Sequence, residues 1–156
     1  MSKLRSMTGG RADWDRLEKG KNGRNLCRWC NLEIPERRLT FCSDWCVHEW
    51  RLRSDPGYLR EQVFQRDRGV CALCQRNTIL AFSELKRSRG TKRARLLKSW
   101  GLSGIRRKSL WDADHIVPVA EGGGGCDLDN LRTLCLICHR RETNALRVRL
   151  RQCQIK

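Results

Sequence analysis

A short run of polar residues in the C-terminal third of the chain has side chains that suit the hydrolysis of a phosphodiester. Asp114 and His115 are adjacent, Asn130 follows after a glycine-rich stretch, and His139 comes directly after Cys138. A phosphodiester is anionic and its leaving oxygen is poor, so its hydrolysis needs a strong nucleophile and a group that absorbs charge. A divalent metal ion absorbs charge as a Lewis acid, and a histidine can deprotonate water because imidazole titrates near neutral pH. These residue types therefore predict a small, open metal site.

Cysteine pairs flank these polar residues and recur earlier in the chain. Eight of the ten cysteines fall into pairs separated by two or three residues, which is a spacing typical of zinc ligands. The first predicted structural Zn²⁺ set comprises Cys27, Cys30, Cys42 and Cys46, and the second comprises Cys71, Cys74, Cys135 and Cys138. The two remaining cysteines, Cys126 and Cys153, are expected to be free thiols. No secretory apolar segment follows Met1, so we expect a reducing cytoplasmic or nuclear location and no secretion.

The chain is strongly basic, with 33 Lys and Arg residues against 17 Asp and Glu and a formal charge of +16. Such an excess favours a polyanionic partner, because each basic side chain placed on a phosphate releases counterions. No apolar run approaches the roughly 18 residues of a membrane span, so no membrane partner is expected. Residues 85–108 carry ten basic side chains and no acid, within a predicted insertion over 75–110. This segment is interpreted as a solvated, partly mobile basic loop, as an arm that grips DNA, or as both, and phosphate contact is favoured. The predicted DNA contacts are Arg87, Arg89, Lys92, Arg93, Arg95, Arg106, Arg107, Arg147 and Arg149.

Local signals divide the chain into three segments and predict a small, zinc-stapled α+β fold. Residues 1–24 are polar and are expected to be flexible, 25–57 form a four-cysteine zinc module, and 58–156 form the domain with the predicted metal site. Within that domain we predict a strand from Trp111 that ends at Pro118, a return strand over 130–134 and a helix over 138–150. Only 39% of the residues are hydrophobic, so the core is lean and is expected to need zinc.

Further residues are expected to support the zinc module. Asp55 is a predicted N-cap for a helix that begins at Pro56 and closes at Gly69. Trp29, Trp45 and Trp50 are expected to pack around the first zinc set in preference to stacking on bases. His48 could replace a cysteine ligand, but four cysteines already complete that set, which favours a packing role.

The order of these motifs resembles the HNH endonuclease family, whose core is the ββα-metal fold. The motif reads W-D-A-D-H-I-V-P-V-A-E-G-G-G-G-C-D-L-D-N-L-R-T-L-C-L-I-C-H. The resemblance implies that His115 is the general base and that Asn130 orients it. It also implies that Asp114 and His139 hold a catalytic Mg²⁺ or Mn²⁺. Some relatives place a third protein ligand one helical turn further on, where this chain has Thr143, so two protein ligands plus water are expected.

A longer resemblance covers about residues 25–145. The basic insertion and the glycine run follow a stretch over 41–64 that reads F-C-S-D-W-C-V-H-E-W-R-L-R-S-D-P-G-Y-L-R-E-Q-V-F. This order is similar to the HNH nuclease domain of eukaryotic annealing helicases that carry a Ran-binding-type zinc finger, and it implies branched or fork DNA as substrate. The sequence contains no GKS/T phosphate loop, so the resemblance does not include a helicase motor.

Two functions remain open at the level of sequence. The first is a metal-dependent DNA endonuclease that hydrolyses phosphodiester bonds, and the second is a zinc-dependent nucleic-acid-binding module without turnover. The first is favoured, because a binding module needs neither Asp114 nor His115. The sequence indicates no particular protein partner.

Overall fold

The computed structural model describes residues 17–123 and 127–154. Residues 1–16 of the predicted flexible segment, Gly124 and Gly125 of the glycine run, and Cys126 lie outside the described residues. The chain divides into two compact units, one ending at Leu59 and the other beginning at Arg60. Among the described residues, no helix combines the length and the apolar character that crossing a lipid bilayer requires.

The first unit is built around the first cysteine set. Its buried residues are Cys27, Ile34 and Cys46, with Trp29 and Phe41 packed against them. Two isolated β-bridges, Lys19 with Asn25 and Leu26 with Glu33, order the segment that precedes the helix. Residues 17–24 thus belong to a hydrogen-bonded turn in this structure.

Helix α1 (Asp44–Ser54) completes the first unit, and its sequence explains its start. The hydroxyl of Ser43 accepts a hydrogen bond from the Cys46 backbone at 3.2 Å, which is the usual contact of an N-cap serine. The expected packing of Trp45 on the zinc site is wrong, because its side chain points to solvent and the residue is 58% exposed. His48 instead contacts Tyr58, with 2.8 Å between the imidazole Nδ1 and the phenolic oxygen.

Helix α2 (Pro56–Asp67) begins and ends where the sequence signals predict. Asp55 Oδ1 accepts from the Tyr58 backbone at 3.0 Å, and Pro56 occupies the first helical position. Gly69 follows the helix with a φ of +70°, and a Cβ there would lie 2.8 Å from Ile79 Cγ1. Glycine is therefore required at this position both for its conformation and for the space.

The basic insertion folds into two helices, α3 (Thr78–Arg87) and α4 (Gly90–Ser99). Asn77 caps α3 by accepting from the backbones of Ile79 and Leu80, each at 3.0 Å. Leu85 at the end of α3 and Trp100 after α4 are buried in the same core cluster as Cys71 and Leu134. The insertion is therefore helical over these two ranges and supplies part of the core.

The second unit ends in a strand–strand–helix arrangement. Strands β1 (Trp111–His115) and β2 (Leu131–Cys135) pair antiparallel, with Asp114 opposite Arg132, and helix α5 (Leu136–Gln154) follows directly. β1 ends earlier than predicted, since a short 3-10 turn (Val119–Glu121) and a turn at Gly122 redirect the chain. α5 begins two residues before Cys138 and places His139 in its first turns. The predicted small α+β class with a ββα core is confirmed.

Candidate active site and zinc sites

Both four-cysteine sets are assembled as the spacing predicts. Within each set the sulfur atoms all lie within 4.8 Å of one another. The sulfur–sulfur distances include 3.4 Å for Cys30–Cys42 and 3.7 Å for Cys74–Cys135. A tetrahedral ZnS₄ site with Zn–S bonds of about 2.3 Å requires separations of about 3.8 Å, whereas a disulfide requires about 2.05 Å. The two sets therefore fit zinc ions and do not form disulfides.

The backbone around the second set favours thiolate ligands. Burial opposes ionisation of Cys71, but hydrogen bonds from the backbone N–H groups of Cys135, Cys74 and Leu73 outweigh it and lower its pKa to about 6. Burial and the neighbouring thiols raise the pKa of Cys138. Four clustered thiols resist losing their protons together, because the resulting thiolates repel one another. A divalent cation offsets the negative charge of these thiolates.

The second set also positions the candidate catalytic residues. Cys135 is the last residue of β2 and Cys138 lies in the first turn of α5. Cys71 and Cys74 come from the turn after α2, and the Ala72 backbone N–H donates to the Thr133 carbonyl at 2.9 Å. An ion bound here would tie the strand to the helix that carries His139.

Asp114, His115 and His139 line one cavity of about 330 Å³. His139 Nε2 lies 3.6 Å from Asp114 Oδ1, so the two predicted ligands of the catalytic metal point at the same space. His139 Nδ1 lies 3.7 Å from Asp112 Oδ2 on the same strand. One carboxylate oxygen and one imidazole nitrogen, in a cavity open to solvent, suit a divalent ion that keeps positions for water and phosphate. Thr143 lines the same cavity, at the position of the third ligand in some relatives.

Arg132 is the principal residue of the cavity that the sequence did not single out. Its Nε donates to Asp114 Oδ2 at 3.1 Å, and its Nη2 donates to Glu142 Oε2 at 3.1 Å. The Arg132 and Asp114 side chains are 18% and 17% exposed, so solvent screens this ion pair only in part. The guanidinium occupies Oδ2 and leaves Oδ1 directed towards His139. Only the strand register could have indicated this contact, because it places Arg132 opposite Asp114. Sequence composition does not determine that register.

Asn130 acts on the backbone that follows His115. Its Oδ1 accepts from the Val117 N–H at 2.8 Å, and its Nδ2 donates to the carbonyls of Val117 and Gly123 at 3.1 and 2.7 Å. The Asn130 carbonyl also accepts from the Ile116 N–H at 2.8 Å. Among the described residues no hydrogen bond joins Asn130 to the His115 imidazole. Asn130 therefore holds the turn that directly follows His115.

Asp112 forms a second ionic cluster beside β1, which no local pattern in the sequence indicates. Arg60 Nη1 lies 3.4 Å from Asp112 Oδ1, and Arg107 donates to the same oxygen. The Arg60 guanidinium lies 3.7 Å from the centroid of the Trp111 ring, which holds it over the strand. Because Asp112 also faces His139 Nδ1, this cluster helps to position His139, which lies on α5 at the side of the cavity.

Several of the predicted DNA contacts have partners within the protein. Arg149 pairs with Glu121 at 2.7 Å, Arg107 pairs with Asp112, and Arg93 donates to the Leu85 carbonyl at 3.3 Å. These contacts give the three arginines structural roles in this structure. The exposed side chains without such a role are Arg87, Arg89, Arg95, Arg106 and Arg147.

Comparisons with known proteins identify several relatives of this chain. The family model described as HNH endonuclease matches residues 102–145. The chain is 40% identical over 115 residues to the protein "DNA annealing helicase and endonuclease ZRANB3" from Bos taurus, and 35% identical over 144 residues to the one from Mus musculus. These alignments cover 66% and 79% of the chain but only 11% and 14% of the relatives' length. A crystal structure of the human ZRANB3 HNH domain is 36% identical, with 64% of this chain and 97% of that chain covered and a TM-score of 0.49.

Proposed function

The chain belongs to the HNH endonuclease family, and from this premise we propose that it is a metal-dependent DNA endonuclease with His115 as its general base. The observation that carries the proposal is the approach of Asp114 Oδ1 and His139 Nε2, at 3.6 Å, inside the cavity that His115 also lines. A module that only binds DNA has no need for a carboxylate and two imidazoles around one open cavity.

Asp114 and His139 would hold the catalytic ion, which we propose to be Mg²⁺ or Mn²⁺. The oxygen of Asp114 suits a hard cation, and the single imidazole of His139 is compatible with Mn²⁺ in particular. When bound, such an ion supplies Lewis-acid stabilisation of the charge that develops on the phosphate and the leaving oxygen. Asp112 faces the second nitrogen of His139 and would orient the ring, as an outer carboxylate does in many metal sites.

His115 would remove the proton from the attacking water. Its side chain is half-buried at the end of β1, where Asn130 holds the following turn through the backbone of Ile116 and Val117. This support limits the freedom of the imidazole, and a fixed base is more effective than a mobile one. The attack would cleave one strand by displacement in line with the leaving oxygen.

The polyanionic substrate is inferred from charge and from the relatives. A formal charge of +16 on 156 residues favours nucleic acid. The names of the relatives include "DNA annealing helicase and endonuclease", which supports DNA as the substrate class. Branched or fork DNA is the form that we propose to examine first. The alternative is a zinc-dependent nucleic-acid-binding module without turnover.

A nicking assay separates the two functions. The zinc-loaded chain is incubated with supercoiled plasmid and either Mg²⁺, Mn²⁺ or no added divalent ion, and open-circular product is measured. We expect cleavage only with the added ion, and we expect Asp114→Ala to lose it with partial recovery at high Mn²⁺. Wild-type nicking that does not exceed the background of a buffer-only control, in any metal condition, would leave only the binding module.

A further inference from the structure

Asn130, which holds the turn after His115, lies at the end of a short and irregular segment. It is the last residue of a 3-10 turn (Leu128–Asn130), and β2 begins at the next residue. A 3-10 turn has poorer hydrogen-bond geometry than an α-helix, so contacts from other parts of the protein contribute to holding it. The position of Asn130 therefore depends on what binds this turn.

Arg66, in the last turn of α2, binds the turn on both sides of Asn130. Its Nη1 donates to the Leu128 carbonyl at 2.7 Å, and its Nη2 donates to the Leu131 carbonyl at 2.6 Å. The guanidinium is planar and presents its N–H groups in a rigid fork. The two bonds together therefore fix both the distance and the orientation of the 3-10 turn relative to α2.

Asp67, the next residue of the helix, holds the guanidinium in place. Its Oδ1 accepts from Arg66 Nε at 2.7 Å, and its Oδ2 accepts from Arg66 Nη2 at 3.1 Å. The same Oδ2 accepts from the Thr133 backbone N–H at 2.9 Å, which anchors the pair to β2. All three nitrogen atoms of Arg66 thus donate within the protein, and bonds of this charge-assisted kind are stronger than those between neutral groups.

A path of hydrogen bonds leads from this clamp to the residues that follow His115. The Asn130 carbonyl accepts from the Ile116 N–H at 2.8 Å, and the Asn130 side chain accepts from the Val117 N–H at 2.8 Å. A shift of the 3-10 turn would move both contacts together, because both come from one residue. Among the described residues, Arg66 itself does not line the cavity of Asp114 and His139.

We propose that Arg66 is a positioning residue for the general base, because it fixes the turn of Asn130 and thereby the orientation of the His115 imidazole. The inference rests on the proposed function, in which His115 deprotonates the attacking water. A displacement of about 1 Å at a reacting group can cost about 10²-fold in rate. Loss of Arg66 should therefore slow cleavage without weakening the binding of DNA or of the catalytic ion.

Three single variants test this role. Arg66→Gln removes the guanidinium, and Arg66→Lys keeps the positive charge but lacks the planar fork. Arg68→Gln is the matched control, since Arg68 is an exposed arginine two residues further on and the change in net charge is the same. Zinc content and denaturant unfolding show whether each variant is folded, and Arg66→Lys carries the test if Arg66→Gln is not.

The rate of a single turnover is measured at saturating DNA and Mn²⁺. We expect it to fall about 10- to 100-fold for Arg66→Gln and Arg66→Lys relative to Arg68→Gln. The Kd for DNA without divalent ion and the Mn²⁺ concentration for half-maximal cleavage should match those of the control. Rates equal to the control, or a loss that saturating DNA and Mn²⁺ restore, would overturn the positioning role.

A double variant shows whether the effect passes through Asn130. Residues that act as one unit are not additive, so Arg66→Gln combined with Asn130→Ala should lose much less than the product of the two single losses. A loss equal to that product would mean that Arg66 acts by another route, and the proposal would fail.

The imidazole resonances of His115 give a readout that needs no cleavage. The chain has three histidines, so the ring signals can be assigned by single substitutions. We expect Arg66→Gln to shift the His115 signals and Arg68→Gln to leave them unchanged, and unchanged signals in both would contradict the positioning role. A wild-type chain that never cuts contradicts the nuclease, whereas a chain that cuts equally well with Arg66→Gln and Arg68→Gln contradicts only the role of Arg66.

Discussion

Arg132 Nε donates a hydrogen bond to Asp114 Oδ2 at 3.1 Å, across the antiparallel pair that β1 and β2 form. The same guanidinium reaches Glu142 on α5, so one arginine links both strands and the helix of the cavity. Asp114 is thereby held with one oxygen occupied and the other directed towards His139. The Arg132 guanidinium contacts both the Asp114 and the Glu142 carboxylates and offsets part of their negative charge.

Replacing Arg132 with alanine is expected to weaken the catalytic metal site without unfolding it. Residues that orient a metal ligand typically change metal affinity or activity by about 10- to 100-fold when removed. We therefore expect the Mn²⁺ concentration for half-maximal cleavage to rise by about 10- to 100-fold. Arg141→Ala is the matched control, since Arg141 is 68% exposed and lies 3.9 Å from Glu142. An Arg132→Ala chain with the metal dependence of this control would remove the positioning role.

Two zinc ions are expected to co-purify with each chain, because two complete sets of cysteines are assembled. Cys135→Ala should reduce the content to one ion and abolish cleavage, since Cys135 joins β2 to α5. Cys153→Ala, which removes an exposed free thiol near the end of the same helix, should keep both ions and full activity. Metal analysis of protein folded with zinc under reducing conditions is the measurement. A wild-type content of one ion or none is incompatible with the two-site account.

Asp67 is expected to stabilise the second unit through its negative charge. Its Oδ2 accepts from the Thr133 backbone at 2.9 Å and its Oδ1 pairs with Arg66 at 2.7 Å. Burial opposes ionisation of Asp67, but the bonds from Arg66 and Thr133 outweigh it and hold its pKa below the ordinary value. A hydrogen bond to a charged group contributes about 1.5–3 kcal/mol, and Asp67→Asn should lower the free energy of unfolding by about this amount at pH 7.

The difference in the free energy of unfolding between wild type and Asp67→Asn depends on pH, because the pKa of Asp67 is lowered in the folded protein. The contribution of Asp67 is complete above the ordinary aspartate pKa of about 3.9 and is lost as the pH falls through the lower folded value. Denaturant unfolding of wild type and Asp67→Asn should therefore differ most near neutral pH and converge in acid. Glu61→Gln, an exposed change in the same helix, is the control. A constant difference at all pH values would show that charge is not its origin.

Much of this architecture could be predicted because its signals are local. The cysteine spacing determined both metal sets, and Asp55, Pro56 and Gly69 marked the ends of α2 through capping and a left-handed φ. The order of Asp114, Asn130 and His139 indicated a strand, a return strand and a helix around one site.

The errors come from contacts between residues that are distant in the chain. Leu85 and Trp100 lie in a basic segment of the sequence, and only their packing against Cys71 and Leu134 shows that they belong to the core. Arg132 and Asp112 needed the strand register and the position of α5 before their partners could be identified. Trp45 was placed around the zinc by residue type, although the rotation of α1 turns it towards solvent.

The most direct test of the central claim is the cleavage rate of His115→Ala. If His115 deprotonates the attacking water, the rate should fall by about 10²–10⁴, while both zinc ions and DNA affinity are retained. His48→Ala is the matched control, because His48 contacts Tyr58 in the first unit and should leave the rate unchanged. A parallel preparation of Cys135→Ala, which is expected to abolish cleavage, measures any contaminating nuclease. Cleavage by His115→Ala at the wild-type rate, above that background, would contradict the general-base assignment.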